Sequence, residues 1–581
     1  MSMLPVLPAH TLSMTTRDGV RLDADIWQPA TGGPYPVLLM RQAYGRGVAS
    51  TVCYAHPSWY AAHGYVVVIQ DIRGRGTSEG FFRIGEHERE DGIDTIAWAA
   101  TLPNTTGVVG MYGFSYQAFN QLILAGDDCP ALKAIAPAMG PWQGREGWSH
   151  VNGALRLQGS LGWATQLAAD TARHEGMTQA FTELMAASRG LPLYETVQAR
   201  PAYIERHREI SHYHRWIDTP AEDPYWTTLS AAARLPEVAA RKLPMLFIGG
   251  WYDTFLEPTI EGYRAVADAG VPSRLAVGPW LHFPWVRKVG GTDFGPAADG
   301  GMDELQVRWF DRWLKGVDNG VDQEPPVHLF DLGSKTWRAF DAWPEASADM
   351  ALATSGKASI DGADGKLQWA RPDGFANLAK VDDGGPGGVS GASPSAPEGS
   401  PVAALAAATI TAYVAHDPWR PVPAFGGAFG VPNGPADRAA IDARGDVLTF
   451  TTAPLDSPLT LAGDVVARLS VTSDRPSFDV SCVLSRVTPS GQAIALTDGF
   501  RHCRSTPAKD VVDVSMQATC VTLAAGESLR LSIAASAFPA YPVNPGTGED
   551  PTRAASIDAQ VTTLGITCGG AEPSMLRVSL G

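Results

Sequence analysis

Residues 65–70, Tyr-Val-Val-Val-Ile-Gln, form a β-branched run with no polar face until its last residue. A strand of this kind has to be covered on both sides, as happens in a parallel sheet flanked by helices. The neighbouring residues repeat the same grammar. Pro36–Met40 is a short apolar run, Glu90–Ala100 carries Ile93, Ile96, Ala97 and Ala100 at helical spacing, and Val108–Tyr112 is a further strand closed by Gly113. Ala134, Ile135 and Ala136 make another. Strand and helix alternating at this pace predict an α/β sheet covered on both faces.

The rhythm breaks at about residue 140. Up to Arg241 strand-like runs vanish, and Leu161–Thr171, Met177–Ser188 and Ile204–Trp216 have helical spacing, so this stretch is expected to be a helical insertion. Strands resume at Leu243–Gly249 and Arg274–Gly278, separated by a helix over Pro258–Ala269. Leu305–Lys315 is amphipathic, with Leu305, Trp309, Trp313 and Leu314 on one side. The first and third segments therefore form one discontinuous domain. After Pro344 the helices stop. Pro386–Pro397 is a loop rich in Gly, Ser and Pro, and short strand-like runs follow at Val447–Thr451, Val465–Val471, Ser477–Leu484, Ser528–Ala534 and Ser574–Leu580. Their spacing predicts an antiparallel sandwich or jelly roll.

Composition narrows the function. The 581 residues are 45% hydrophobic and 18% charged, enough for a large core and incompatible with wholesale disorder. Lys and Arg number 45 against 61 Asp and Glu, a net charge of −16, so a broad nucleic-acid-binding face is not expected. No run of about 18 apolar residues is present to span a membrane. Met1–His10 lacks the charge and apolar pattern of a signal peptide. The cysteines (53, 129, 482, 503, 520 and 568) are scattered, without metal-ligand spacing. They read as free thiols of a reducing, cytoplasmic setting, with a disulfide among the last four as the alternative.

The sharpest chemical signal is Gly113-Phe114-Ser115-Tyr116-Gln117-Ala118, where a strand gives way to a helix. A serine at such a turn presents its hydroxyl to solvent. The pattern departs from Gly-x-Ser-x-Gly, because Gln117 holds the second small position and Ala118 comes three residues after the serine. Serine needs a base, and the base needs an orienting carboxylate. Asp253 follows the strand Leu243–Gly249, and His282 follows Arg274–Gly278, 29 residues later. All three candidates thus trail strand C-terminal ends, where open α/β sheets form their ligand crevice, in the order Ser, Asp, His. His87 reads as a solvated loop residue and His150 as a residue of the insertion. His207, His212 and His214 read as a hydrated helix face rather than metal ligands, and no metal or cofactor is expected.

These residues sit in a wider set of motifs that resembles the cocaine esterase family, within the X-prolyl dipeptidyl aminopeptidase-like α/β hydrolases. The motifs are Asp71-Ile72-Arg73-Gly74-Arg75-Gly76-Thr77-Ser78-Glu79-Gly80, Gly113-Phe114-Ser115-Tyr116, Lys133-Ala134-Ile135-Ala136-Pro137, Gly250-Trp251-Tyr252-Asp253, Gly278-Pro279-Trp280-Leu281-His282 and Arg308–Gly316. The resemblance implies an α/β hydrolase core over 1–140 and 241–345, a helical cap over 141–240 and a β jelly-roll domain over 346–581. It implies Ser115 as nucleophile, His282 as base and Asp253 as orienter. An oxyanion hole of the Tyr44 hydroxyl and the Tyr116 amide is implied as well. It also implies an aromatic acyl pocket of Trp148, Trp163 and Phe255, the alternative being that these rings merely pack cap against core.

The resulting expectation is a serine hydrolase that cleaves small-molecule carboxylic esters through an acyl-enzyme, with a neutral aromatic or medium acyl group. A second reading is an α-amino-acid ester hydrolase or X-prolyl dipeptidyl aminopeptidase, which needs carboxylates to hold a substrate ammonium. Positions 254–256, just after Asp253, are Thr, Phe and Leu, which leaves Glu146 and Glu257 as possible anchors. A third reading is a non-catalytic binding scaffold. A large β domain and 17 tryptophans would permit a homodimer.

Overall fold

The computed structural model describes residues 3–283, 285–370, 408–504, 510–570 and 573–581, so the loop expected at Pro386–Pro397 lies outside the described residues. They gather into two compact units, Met1–Asp331 with Lys335–Trp343, and Leu332–Ser334 with Pro344–Gly581.

The first unit is built on ten strands: β1 (His10–Thr15), β2 (Arg21–Trp27), β3 (Tyr35–Gln42), β4 (Val66–Asp71), β5 (Thr105–Phe114), β6 (Leu132–Ala138), β7 (Met245–Gly250), β8 (Ser273–Gly278), β9 (Val327–Asp331) and β10 (Thr336–Phe340). Their order across the sheet is β1-β2-β4-β3-β5-β6-β7-β8-β9-β10. From β4 to β9 neighbours run parallel, with pairs such as Leu38↔Val67 and Ala276↔Ile248. The apolar run that opened the sequence reading is the interior strand β4, buried at every residue. Both edges are antiparallel hairpins, β1 with β2 and β9 with β10. Sequence patterning missed them because β1 and β10 bury little, and β2 and β9 interrupt their apolar residues with polar ones. In β2 the polar Asp23 is itself buried, accepting from Ser13 and Thr77 hydroxyls at 2.7 and 2.6 Å.

Helices cover this sheet. Glu88–Ala100 carries Glu88, Glu90 and Asp91 in its first turn, where the positive end of the helix dipole favours them. Met302–Lys315 begins with Asp303 and Glu304, ends with Arg312 and Lys315, and is stopped by the left-handed Gly316. Its Trp309 and Phe310 enter the same core cluster as Leu38, Val67 and Tyr112, with Leu305, Trp313 and Leu314 partly buried against it.

Between β6 and β7 the chain is mostly helical, dominated by Leu157–His174 and Thr178–Ser188. The single helix expected over Ile204–Trp216 is instead three short pieces, Ala202–Arg206, Arg208–Ile210 and Tyr213–Asp218. Ser211 is extended there, and its hydroxyl accepts the Tyr213 amide at 3.3 Å, the local side-chain bond by which serine interrupts helices. The expected hydrated histidine face is also corrected. His214 is buried beside Glu205 (2.8 Å), His207 meets Glu183 (2.9 Å), and His212 packs on Trp163 and Trp216 with ring centroids 5.0 and 4.5 Å apart. Burial pushes the His212 imidazole down to about 3, so it stays neutral.

The second unit is a β jelly-roll-class domain whose strands pair antiparallel, apart from a single parallel step at Lys366↔Thr451. Its long strand Leu459–Ser473 pairs with Asp510–Leu523, Met575–Leu580 and Thr562–Cys568.

Candidate active site

Strand β5 ends at Phe114 and the helix Tyr116–Leu122 starts one residue after Ser115. Ser115 takes φ 61° and ψ −124°, a sparsely populated conformation for a residue with a side chain. Such a residue costs on the order of 1–3 kcal/mol and persists only where its surroundings over-determine it. Here the Ser115 amide donates to the Ala138 carbonyl (2.9 Å), and the Ser115 carbonyl accepts from Ala118 and Phe119 (2.9 and 3.1 Å).

The two departures from the common motif have structural answers. Gln117 turns inward: its side-chain oxygen accepts the Phe114 amide at 3.0 Å, and its side-chain nitrogen donates to Gln42 at 3.0 Å. A Cβ on Gly113 would fall 2.5 Å from the Gln117 Cβ, so the bulk at 117 is accommodated by glycine at 113. Ala118 is accommodated in the same way, since a Cβ on Gly140 would meet its methyl at 2.5 Å.

The loops after β7 and β8 are laced together. The Trp251 amide donates to the Gly278 carbonyl (2.9 Å) and the Tyr252 amide to the Trp280 carbonyl (3.0 Å). This approach requires Gly250, whose Cβ would lie 2.5 Å from the Trp280 carbonyl oxygen. The result sets Asp253, fully buried, 2.8 Å from His282 Nδ1, and His282 Nε2 2.9 Å from Ser115 Oγ. An aspartate oxygen accepts, so Nδ1 carries the proton and Nε2 is left to accept from serine. Phe114 and Phe255 flank the imidazole, with centroids 5.7 and 5.3 Å from it.

Tyr44, on the turn after β3, brings its hydroxyl close to Ser115. Burial holds its phenol above the ordinary value, so it stays protonated and able to donate. The Trp163 indole N–H donates into the Tyr44 oxygen at 3.1 Å. Tyr116 opens its helix, where a backbone N–H has no intrahelical acceptor. Its ring is held by a hydrogen bond from its hydroxyl to the buried Glu88.

A cavity of about 200 Å³ opens on Ser115 and His282, walled by Tyr116, Trp148, Trp163, Trp216, Thr254 and Phe255, with Pro141, Arg156, Gly159 and Ser160 completing the lining. The three predicted pocket aromatics are thus brought to one cavity. Trp216, Arg156 and the bond from Trp163 to Tyr44 were missed. The available signal was spacing: Arg156, Gly159, Ser160 and Trp163 recur at three and four residues along one helix face. None of these lining residues is acidic. Glu146 is half-exposed and paired with Arg145 at 2.6 Å, and Glu257 is likewise absent from the lining. His150 is buried against Ser149 (2.8 Å) and pushed down to about 3, while His87 directly precedes the helix Glu88–Ala100 without a side-chain capping bond, so neither belongs to the serine cluster. Among the described residues no group of three or more His, Cys, Asp or Glu side chains is arranged to hold a metal, and no helix is long and apolar enough to cross a membrane.

Comparison with known proteins agrees with this architecture. Residues 18–284 match the X-Pro dipeptidyl-peptidase (S15 family) model, and residues 319–577 match the X-Pro dipeptidyl-peptidase C-terminal non-catalytic domain. A cocaine esterase from Rhodococcus sp. (strain MB1 Bresler) is 30% identical over 93% of this chain and 92% of its own length. Among solved structures, an aminopeptidase from a marine sediment Thaumarchaeota archaeon superposes with TM-score 0.76 at 21% identity, covering 99% of this chain and 96% of that one. An α-amino acid ester hydrolase superposes with TM-score 0.73 at 20% identity, covering 100% and 97%. These last two speak to the fold.

Proposed function

The chain belongs to the cocaine esterase family of S15-type α/β hydrolases and is a serine ester hydrolase, and from that premise we propose that Ser115, His282 and Asp253 carry its chemistry. The observation that carries this reading is the unbroken chain of contacts Asp253–His282–Ser115 at 2.8 and 2.9 Å, on a strained turn facing an apolar cavity. Ser115 Oγ attacks the ester carbonyl carbon as His282 Nε2 takes its proton. Asp253 stabilises the imidazolium that results. The tetrahedral oxyanion accepts from the Tyr44 hydroxyl and the Tyr116 amide, donors already in place when the charge develops. His282 returns the proton to the departing alkoxide, leaving an acyl group on Ser115. A water deprotonated by His282 then attacks this acyl-enzyme, and collapse frees the carboxylic acid and the serine.

The acyl group occupies the cavity walled by Trp148, Trp163 and Phe255, most of it contributed by residues 141–240 acting as a cap, with 1–140 and 241–345 as the catalytic core and 346–581 as the β domain. An aromatic or medium aliphatic acyl group fits these walls because burying its surface is favourable at about 25 cal/mol per Å². Six cysteines, none of them in a disulfide, support a cytoplasmic setting.

Ser115→Ala tests the assignment. It should abolish turnover of an activated ester such as 4-nitrophenyl benzoate while leaving the thermal unfolding curve in place. Near-wild-type hydrolysis by that variant overturns it.

A further inference from the structure

A second cavity, of about 310 Å³, lies in the same unit as the acyl cavity, and no residue lines both. Their walls nevertheless meet at several points. The helix Leu157–His174 carries Trp163 into the wall of the acyl cavity and, one turn later, Leu167 into the wall of the second. The Tyr116 ring of the first lies 5.9 Å from the Phe82 ring of the second. The Trp216 indole N–H of the first donates to the Tyr225 hydroxyl of the second at 3.1 Å. His212 lines the second cavity and packs edge-on against both Trp163 and Trp216. The partition between the two spaces is therefore a layer of aromatic rings in contact.

These rings are not held alike. Trp163 is pinned through its N–H to Tyr44 and Trp216 through its N–H to Tyr225. The two indoles are tilted by 37° with centroids 5.6 Å apart, and His212 stands against both. Its Nε2 is buried without a hydrogen-bond partner. The residue directly precedes the helix Tyr213–Asp218, yet its side chain makes no capping bond. A buried polar nitrogen without a partner costs stability, so the fold itself does not favour histidine here. What this ring supplies at the junction of the two cavities is bulk.

We propose that His212 is a specificity-determining residue: its ring closes the acyl cavity against the second one and excludes acyl groups longer than a medium aliphatic chain or a single aromatic ring. The proposal rests on the cavity being the acyl site of the esterase reading. At about 200 Å³ that site exceeds the ~150 Å³ engineered void known to admit benzene, so one ring fits. A longer chain has to displace a close-packed wall, which interiors resist. With the His212 ring removed, the space behind is already there, and each methylene entering it leaves water.

The test uses the full-length protein and the 4-nitrophenyl esters of hexanoic and decanoic acid, each kept below the concentration at which it aggregates. For the wild-type protein kcat/KM should be lower for the decanoate than for the hexanoate. In His212→Ala and His212→Ser the decanoate-to-hexanoate ratio should rise at least tenfold, since each buried methylene contributes about fourfold (~0.8 kcal/mol). Serine is a favoured residue at a helix start, so His212→Ser serves if the alanine variant fails to fold. His212→Phe, which keeps a ring and loses both nitrogens, should keep the wild-type ratio. Ratios are read within each variant, so a general loss transmitted through Trp163 and Tyr44 cancels. A wild-type ratio at or above one overturns the proposal, and it decides alone if neither small variant folds. A smaller rise in a folded small variant, or an equal rise in His212→Phe, overturns it as well. Absence of hexanoate hydrolysis by the wild-type protein would instead overturn the esterase assignment beneath it.

Discussion

A phenol has a single proton to give, and at Tyr44 that proton is not spent on Trp163. Trp163 donates into the Tyr44 oxygen at 3.1 Å, which occupies one acceptor position and leaves the hydroxyl hydrogen available to another acceptor. Tyr44→Phe should therefore lower kcat by two to three decades, about 3–4 kcal/mol, with little change in KM, because the oxyanion exists only along the reaction path. Trp163→Phe should lower kcat less, roughly tenfold, since it removes a bond to the donor and not the donor itself. The double variant should be no slower in kcat than Tyr44→Phe alone, since Trp163 acts on the oxyanion through Tyr44. Additive losses in steady-state kinetics would show that Trp163 serves catalysis by another route. Ser115, Asp253 and His282 were legible in the sequence because each follows a strand, and strand ends are visible as apolar runs. Tyr44 was legible only through family resemblance. Its hydrogen bond with Trp163, 119 residues away, is a pairing no local pattern encodes.

At the scale of single elements, the turn between β5 and the helix Tyr116–Leu122 stores strain and is braced by Gln117. In the sequence Gln117 stands as a departure from Gly-x-Ser-x-Gly. The folded chain turns it inward, 2% exposed and bonded to Phe114 and Gln42, while the cavity is lined without it. Gln117→Ala leaves the buried Phe114 amide without that acceptor, which costs about 1–3 kcal/mol. Thermal and denaturant unfolding should show this loss, and the preference among acyl groups should stay as it was. A changed acyl preference with unchanged stability would return Gln117 to the pocket. The interior strands were readable because both faces of each are apolar. The outer strands β1, β2, β9 and β10 were not: β1 and β10 are largely exposed, and β2 and β9 interrupt their apolar residues with buried polar ones such as Asp23 and Asp331. The helix expected at 204–216 failed for a related reason: its apolar spacing was real, but Ser211 offers the backbone a competing bond that spacing ignores.

The whole chain carries a net charge of −16, which draws cations toward it, whereas the cavity beside Ser115 is walled by aromatic rings, one arginine and no acid. These two scales make opposite predictions for an α-amino-acid ester. The long-range field favours its approach and the cavity disfavours its ammonium. Range decides between them. At physiological ionic strength exposed charges are screened beyond about 8 Å, while groups inside a cavity are screened much less. The local term should therefore win: with one alcohol as leaving group, and at a pH where the amine is charged, kcat/KM for a neutral aromatic acyl ester should exceed that for the matching amino-acyl ester by at least tenfold. Added salt should lower kcat/KM for the amino ester, by screening the attraction that aids its encounter, and leave the neutral ester nearly unaffected. A better amino ester at both low and high salt would place an anion in the site that the cavity lining lacks. Glu146 and Glu257 would then be the residues to replace with glutamine, and the aminopeptidase-like reading would replace the neutral-acyl one.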